Sequence, residues 1–215
     1  MLASNPNALF VCDPVLGDEG KYYVPKELVG IYRDRVIPKA FMITPNQFEA
    51  ELLTGQTITD MASAKRVCAA LRSLGPKVVV LTSCEVVEYP GQLVCLSLAA
   101  AGMDMVVVDK LQGRFTGTGD VTAAVLLGRG HENGKFGDMS TTLSKTMGTI
   151  RAIIELTRAR KEGLLSAADQ AEVASGVMSP AVRSRYMRSA ELCLVESHTV
   201  IMDPPNCPKP CPVPL

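Results

Sequence analysis

Tryptophan is absent from this 215-residue sequence, and Phe and Tyr contribute five residues each. With so few aromatics, the stacking platforms that hold single-stranded nucleic acid are not expected. Neither sign of charge is in excess, since 22 Lys and Arg balance 22 Asp and Glu. A chain with that balance has no electrostatic footprint for nucleic acid or for a membrane surface. Long apolar runs are missing too, and none approaches the roughly 18 residues of a membrane-span candidate. The opening Met-Leu-Ala-Ser-Asn-Pro has no charged region followed by an apolar stretch, so no secretory signal is expected. Histidine is scarce, at two residues. The C-x3-C pair Cys207 and Cys211 therefore lacks companion ligands for a zinc site. The other cysteines, Cys12, Cys68, Cys84, Cys95 and Cys193, lie singly in apolar or helical stretches. Their odd total and scatter speak against a disulfide framework. They point to reduced thiols and a cytoplasmic location.

What is present is a hydrophobic content of 47% and an alternation of strand and helix signals. That length and content suit one sizeable core. A short apolar strand over 9–12 ends at Asp13-Pro14. A helix follows Pro25 over 26–35, then a buried strand over 40–43. Thr44 is read as the N-cap of the next helix, with Pro45 at its first position, Gln47 completing a capping box and Gly55 ending it. A helix over 61–74 stops at Gly75-Pro76. The strand over 77–83 is apolar at successive positions, as when both faces are covered. Strands over 93–98 and 105–109 read as antiparallel. Gly117-Thr118-Gly119-Asp120 opens a helix over 121–127, Asp138 caps a long amphipathic helix, and Ser166 caps a short one. A last strand is expected over 191–195. The Pro-rich stretch 203–215 is expected to be a disordered tail, leaving 1–202 as the folded domain. The fold class is α/β: a mainly parallel sheet with helices on both faces, whose first strands are missing.

Four polar clusters carry the chemistry. Gly117-Thr118-Gly119-Asp120 lets the backbone approach an anion at a helix start, where Asp120 either acts as a base or merely caps the helix. A dinucleotide fingerprint would need a third glycine where Thr122 stands, and no P-loop is present. Asp13 and Asp18 flank a turn at a strand end and either hold Mg²⁺, partly through water, or form a plain acidic turn. Asn46 and Glu49 share one helix face, suited either to phosphate and metal-bound water or to ordinary capping. Thr82 and Ser83 end the apolar strand, a weak signal alone. All four clusters sit at strand ends or the helix starts that follow. In a parallel sheet those ends form one ligand-binding edge, and a phosphate-rich ligand with Mg²⁺ accounts for them jointly.

DPVLGD, ITPNQFEAELL, VVVLTS and FTGTGD, in that order, resemble the pyridoxal kinase family of the ribokinase-like superfamily over about residues 5–160, and more loosely over 180–203. The resemblance implies a three-layer α/β/α sandwich and a homodimer. It implies MgATP-dependent phosphorylation of the 5′-hydroxyl of pyridoxal, pyridoxine or pyridoxamine, to the corresponding 5′-phosphate, as a step in pyridoxal 5′-phosphate salvage. By resemblance Asp120 is the proton acceptor, Gly117, Thr118 and Gly119 form the anion hole, and Gly119 and Asp120 meet the substrate. Asp13, Asn46, Gln47, Phe48, Glu49, Thr82, Ser83 and Thr118 would contact ATP, with Leu111, Gln112 and Gly113 bordering the adenine. Asp18 and Asp13 would serve Mg²⁺, while Thr44, Glu49 and Thr82 would help hold the metal waters and a monovalent cation, K⁺ or Na⁺. Family members carry a substantial region ahead of DPVLGD that supplies the first strands, most vitamin contacts and a lid. Only twelve residues precede Asp13 here, so an N-terminally shortened form, inactive alone, is one expectation. The alternatives are a hydroxymethylpyrimidine-type kinase and a non-catalytic nucleotide-binding or dimerising derivative.

Overall fold

The computed structural model describes residues 5, 7–111, 113, 115–161 and 163–214, with only the backbone of residue 161. The chain opens with β1 (Val11–Cys12) and a small hairpin of β2 (Gly17–Asp18) and β3 (Lys21–Tyr22). Helix α1 (Leu28–Ile31) runs on through a wider turn over Tyr32–Val36 and a tighter one over Ile37–Lys39. Strand β4 (Met42–Ile43) leads into α2 (Gln47–Thr54) and α3 (Met61–Ser73), and then into β5 (Val78–Cys84). Strands β6 (Gln92–Ala99) and β7 (Gly102–Asp109) form a hairpin. Helices α4 (Thr118–Glu132), α5 (Met139–Lys161), α6 (Ala167–Ser175), α7 (Pro180–Ala190) and α8 (His198–Met202) precede β8 (Cys211–Val213).

The main sheet has the order β1-β4-β5-β6-β7-β8. The sequence reading expects a mainly parallel sheet, and the structure corrects this to a mixed one. β1, β4 and β5 are mutually parallel, whereas β5–β6, β6–β7 and β7–β8 are antiparallel. The physical reason is connection length. A parallel pair needs a crossover of about a dozen residues or more, and the links from β5 to β6 and from β6 to β7 are too short to carry one.

Alternation along β5 divides the core. Val79 and Leu81 pack with Leu53, Val67 and Leu71 from α2 and α3. Val78 and Val80 pack with Leu126, Met139, Leu143 and Met147 from α4 and α5 on the other face. Both faces are covered, which is why the strand is apolar at successive positions.

Two further expectations are corrected. Residues 191–195 form no strand; only Glu191 bridges, to Thr116. The backbone there is satisfied otherwise, with Cys193 N–H donating to Thr157 Oγ1 and Ser197 N–H to Cys193 O. The tail 203–215 is not disordered over its described residues. Cys207 packs on Gly148 of α5, Ser144 Oγ donates to Pro208 O at 2.7 Å, and β8 pairs with β7 in the register Met103↔Val213. Lys65 of α3, on the opposite face, donates to Pro214 O. The tail thus passes around the β7 edge from one helix layer to the other. Proline suits an outermost strand because its missing N–H leaves no inward bond unmade.

Candidate active site

Strand direction assembles the site. β7 is antiparallel to β6, which is antiparallel to β5, so β7 runs with β1, β4 and β5. The C-terminal ends of these four strands share one edge. Asp13 follows β1, Thr44 follows β4, Thr82 and Ser83 end β5, and the segment after β7 leads to Gly117.

Three segments distant in sequence meet there. Thr44 Oγ1 donates to Asp13 Oδ1 at 3.3 Å. Asp13 Oδ2 lies 3.3 Å from where a β-carbon on Gly119 would stand. Burial raises the Asp13 pKa, the Thr44 hydrogen bond opposes the rise, and the negative charge of Asp120 adds to it. Asp120 is exposed in the first turn of α4. Gly117 starts that helix at φ +90°, a conformation glycine adopts freely, and no side chain caps it. The first-turn N–H groups of such a helix are left for an anion. The reading of Asp120 as a mere cap therefore fails, because the cap position is Gly117.

The second cluster is a clamp. Asn46, rather than Thr44, is the N-cap of α2, and Glu49, rather than Gln47, is its capping-box partner. Both side chains also reach the loop after β1. Glu49 Oε1 accepts from Leu16 N–H at 3.0 Å, and Oε2 accepts from Asn46 N–H at 3.0 Å. Asn46 Nδ2 donates to Gly17 O at 2.9 Å. Burial pushes Glu49 up to about 7, against the lowering effect of the Asn46 and Leu16 N–H groups, and Asp13 adds to the rise. The neighbouring Cys12 thiol is pushed up to about 11 by burial and by the charges of Asp13 and Glu49.

The remaining expected residues sit as follows. Phe48 stacks edge-on against Tyr22 of β3, with ring centroids 5.4 Å apart. The Gln47 amide is engaged inside the protein, at Glu85, Glu51 and Ile58. Thr82 Oγ1 lies 3.2 Å from Pro45 O and donates to it, whereas Ser83 Oγ makes no hydrogen bond among the described residues. Asp18 is exposed, and its Oδ1 accepts from Glu19 N–H at 2.8 Å. Leu111 is half-buried and Gly113 exposed on the segment after β7, while Gln112 lies outside the described residues. Sequence reasoning missed Lys110. It pairs with Glu85 at 2.8 Å, and the charges of Glu19 and Asp18 also raise its pKa. A lone lysine at a strand end carries no signal that would have singled it out.

A divalent cation fits the Asp13 side of the site. A desolvated carboxylate that also feels Asp120 gains from a nearby positive charge. Among the described residues no three His, Cys, Asp or Glu side chains gather into a metal cage. Asp13 beside Asp120 offers the pattern of one or two carboxylates that a hydrated Mg²⁺ ion completes with water and phosphate oxygens. The structure brings Asp13, Thr44, Gly119 and Asp120 together and places Asp18 on the β2–β3 hairpin, where its charge is felt by Lys110 at the end of β7.

The phosphomethylpyrimidine kinase family profile matches residues 1–137. The pyridoxal kinase of Arabidopsis thaliana is 45% identical over 130 residues, 58% of this chain and 41% of that protein. The pyridoxal kinase of Homo sapiens is 39% identical over 168 residues, 71% of this chain and 53% of that protein. The solved pyridoxal kinase of Leishmania donovani, in complex with ADP and ginkgotoxin, superposes with a TM-score of 0.76 at 28% identity. The match covers 96% of this chain and 62% of that one. The chain spans about half the length of the curated relatives it matches.

Proposed function

This chain belongs to the phosphomethylpyrimidine kinase family, and on that premise we propose that it is the ATP-binding portion of a pyridoxal kinase. Its mixed sheet with helices on both faces is the ribokinase-like α/β fold. The reaction is transfer of the γ-phosphoryl group of ATP to the 5′-hydroxyl of pyridoxal or a related vitamer. The observation that carries this reading is the placement of Asp120 in the uncapped first turn of α4, beside Asp13 at the shared strand-end edge.

Each residue has a role. Asp120 accepts the proton of the attacking hydroxyl. The first-turn N–H groups of Thr118, Gly119 and Asp120 face the transferring phosphoryl group, where fixed donors and the helix dipole offset developing charge. Thr44 orients Asp13 by its hydrogen bond. Asp13 would hold Mg²⁺ with help from Asp18 through water, and Mg²⁺ when bound neutralises phosphate charge. Ser83 offers the hydroxyl at the β5 end that is free to meet the nucleotide, since that of Thr82 is engaged with Pro45. Leu111 and Gly113 would border the adenine. Thr44 and Thr82 donate their hydroxyl protons to Asp13 and Pro45 and keep oxygen lone pairs, with which they and Glu49 would help hold a monovalent cation. Residues 1–202 as the kinase domain, a homodimer and a cytoplasmic location complete the proposal. No helix among the described residues is long and apolar enough to cross a membrane.

A second reading, a kinase acting on hydroxymethylpyrimidine, is favoured by the family match over residues 1–137. One experiment tests both. The purified chain is assayed for ADP production from ATP with pyridoxal, pyridoxine, pyridoxamine or hydroxymethylpyrimidine, alongside Asp120→Ala. Turnover of a vitamer that falls by about 10²-fold or more in the variant is expected, with MgADP binding retained. Turnover of hydroxymethylpyrimidine alone supports the second reading. Vitamer turnover unchanged in Asp120→Ala rules out the role given to Asp120.

A further inference from the structure

The β5–β6 ladder breaks at the nucleotide edge. Leu81 pairs with Leu96 and Cys84 with Val94, so two residues of β5, Thr82 and Ser83, face the single residue Cys95 of β6. That is a β-bulge, a device that re-aims side chains beside functional sites. A bulge frees backbone groups from the ladder and persists when other partners hold them.

Here the partners come from the N-terminus of α2. Pro45 O accepts from both Thr82 N–H at 2.9 Å and Thr82 Oγ1 at 3.2 Å. Gln47 Oε1 accepts from Glu85 N–H at 2.9 Å, just past the bulge. The other end of the same amide donates to Glu51 Oε1 and to Ile58 O, each at 3.1 Å. Glu51 Oε1 in turn accepts from Ile58 N–H at 2.8 Å. On the sheet side, Cys95 Sγ lies 2.9 Å from Thr82 O and 3.3 Å from Met147 Sδ. The bulge is pinned from both sides, and among the described residues Gln47 is the one side chain that ties its exit to α2 and to the α2–α3 loop together.

We propose that Gln47 is a positioning residue that sets the β5 bulge, and through it the Ser83 hydroxyl, against the nucleotide, rather than a residue that touches ATP itself. This rests on the nucleotide-site reading above. The amide oxygen has a backbone donor, and both amide hydrogens have acceptors within the protein. Methionine at this position keeps the side-chain volume but offers none of the three bonds. Glu85 also carries the ion pair to Lys110 at the end of β7. A freed Glu85 backbone therefore loosens the rim at Lys110, where β7 ends.

The test uses the full chain with Gln47→Met and Gln47→Ala, and Ile153→Val on α5 as a remote core variant. MgADP affinity is measured by titration calorimetry, and exchange of the Glu85 amide by NMR. Both Gln47 variants are expected to exchange that amide about ten-fold faster and to bind MgADP about ten-fold more weakly. Ile153→Val is expected to change neither. Unchanged exchange in the Gln47 variants overturns the proposal. So does weaker binding with unchanged exchange, because Gln47 would then be touching the nucleotide. If the unsubstituted chain binds no MgADP, the nucleotide-site reading fails separately. The exchange rates then still decide whether Gln47 holds the bulge.

Discussion

Glu49 Oε1 accepts the Leu16 N–H at 3.0 Å across 33 residues of sequence, and this bond seats the loop after β1 on the start of α2. Asp13 and Asp18 stand at the two ends of that loop. The carboxylate that holds it is 4% exposed and sits beside Asp13.

Glu49 makes stability depend on pH in a definite direction. Its folded value is about 7 against an ordinary 4.5, so the folded state holds the proton more tightly. Its contribution is fully present below pH 4.5 and is lost as pH rises to about 7. Relative to Glu49→Gln, the wild type should lose on the order of 3 kcal/mol across that window. Urea denaturation of both proteins at pH 5 and pH 8 measures it, and a pH-independent difference would contradict the buried clamp.

Gly119→Ala should separate stability from binding. Alanine in the first turn of α4 gains up to about 1 kcal/mol of helix propensity. Its β-carbon would stand 3.3 Å from Asp13 Oδ2, in the space the proposed function gives to a metal or phosphate oxygen. The expected result is an unchanged or higher melting temperature with MgADP binding weakened at least about ten-fold. Equal binding would show that the space between α4 and Asp13 is not used.

Ending the chain after Met202 removes β8 and the contacts of Pro208 and Cys207 with α5. It also uncovers part of the cluster on which Val213 packs. A loss of about 2–4 kcal/mol is expected from the lost strand pairing and burial. Concentration-dependent association should follow, because β7 becomes an open edge. Denaturation and light scattering check the two effects, and a truncated chain with the stability and the oligomeric state of the full chain would mean the tail seals nothing.

The elements were legible where a local rule decided them. Successive apolar residues over 78–81 announced a strand covered on both faces, and both core clusters claim it. Asp138 and Ser166 were readable as caps because capping is a contact over three residues. The stretch 191–195 was misread because its backbone partners lie on α5 and in a turn, where no periodicity records them. The tail was misread because proline content signals the absence of a ladder and says nothing of an outermost strand that needs few inward donors.

The sequence by itself determined which chemical groups are present and that they fall at strand ends: carboxylates at 13, 18 and 120, glycines at 117 and 119, hydroxyls at 44, 82 and 83. Only the tertiary structure decided which of them meet. Strand direction, set by link length, carried Asp120 to Asp13. Long-range hydrogen bonds turned Gln47 and Glu49 inward, and the bulge at Thr82 and Ser83 sorted one hydroxyl from the other. Such contacts join residues distant in the chain, so their energy depends on distances that no local sequence pattern encodes.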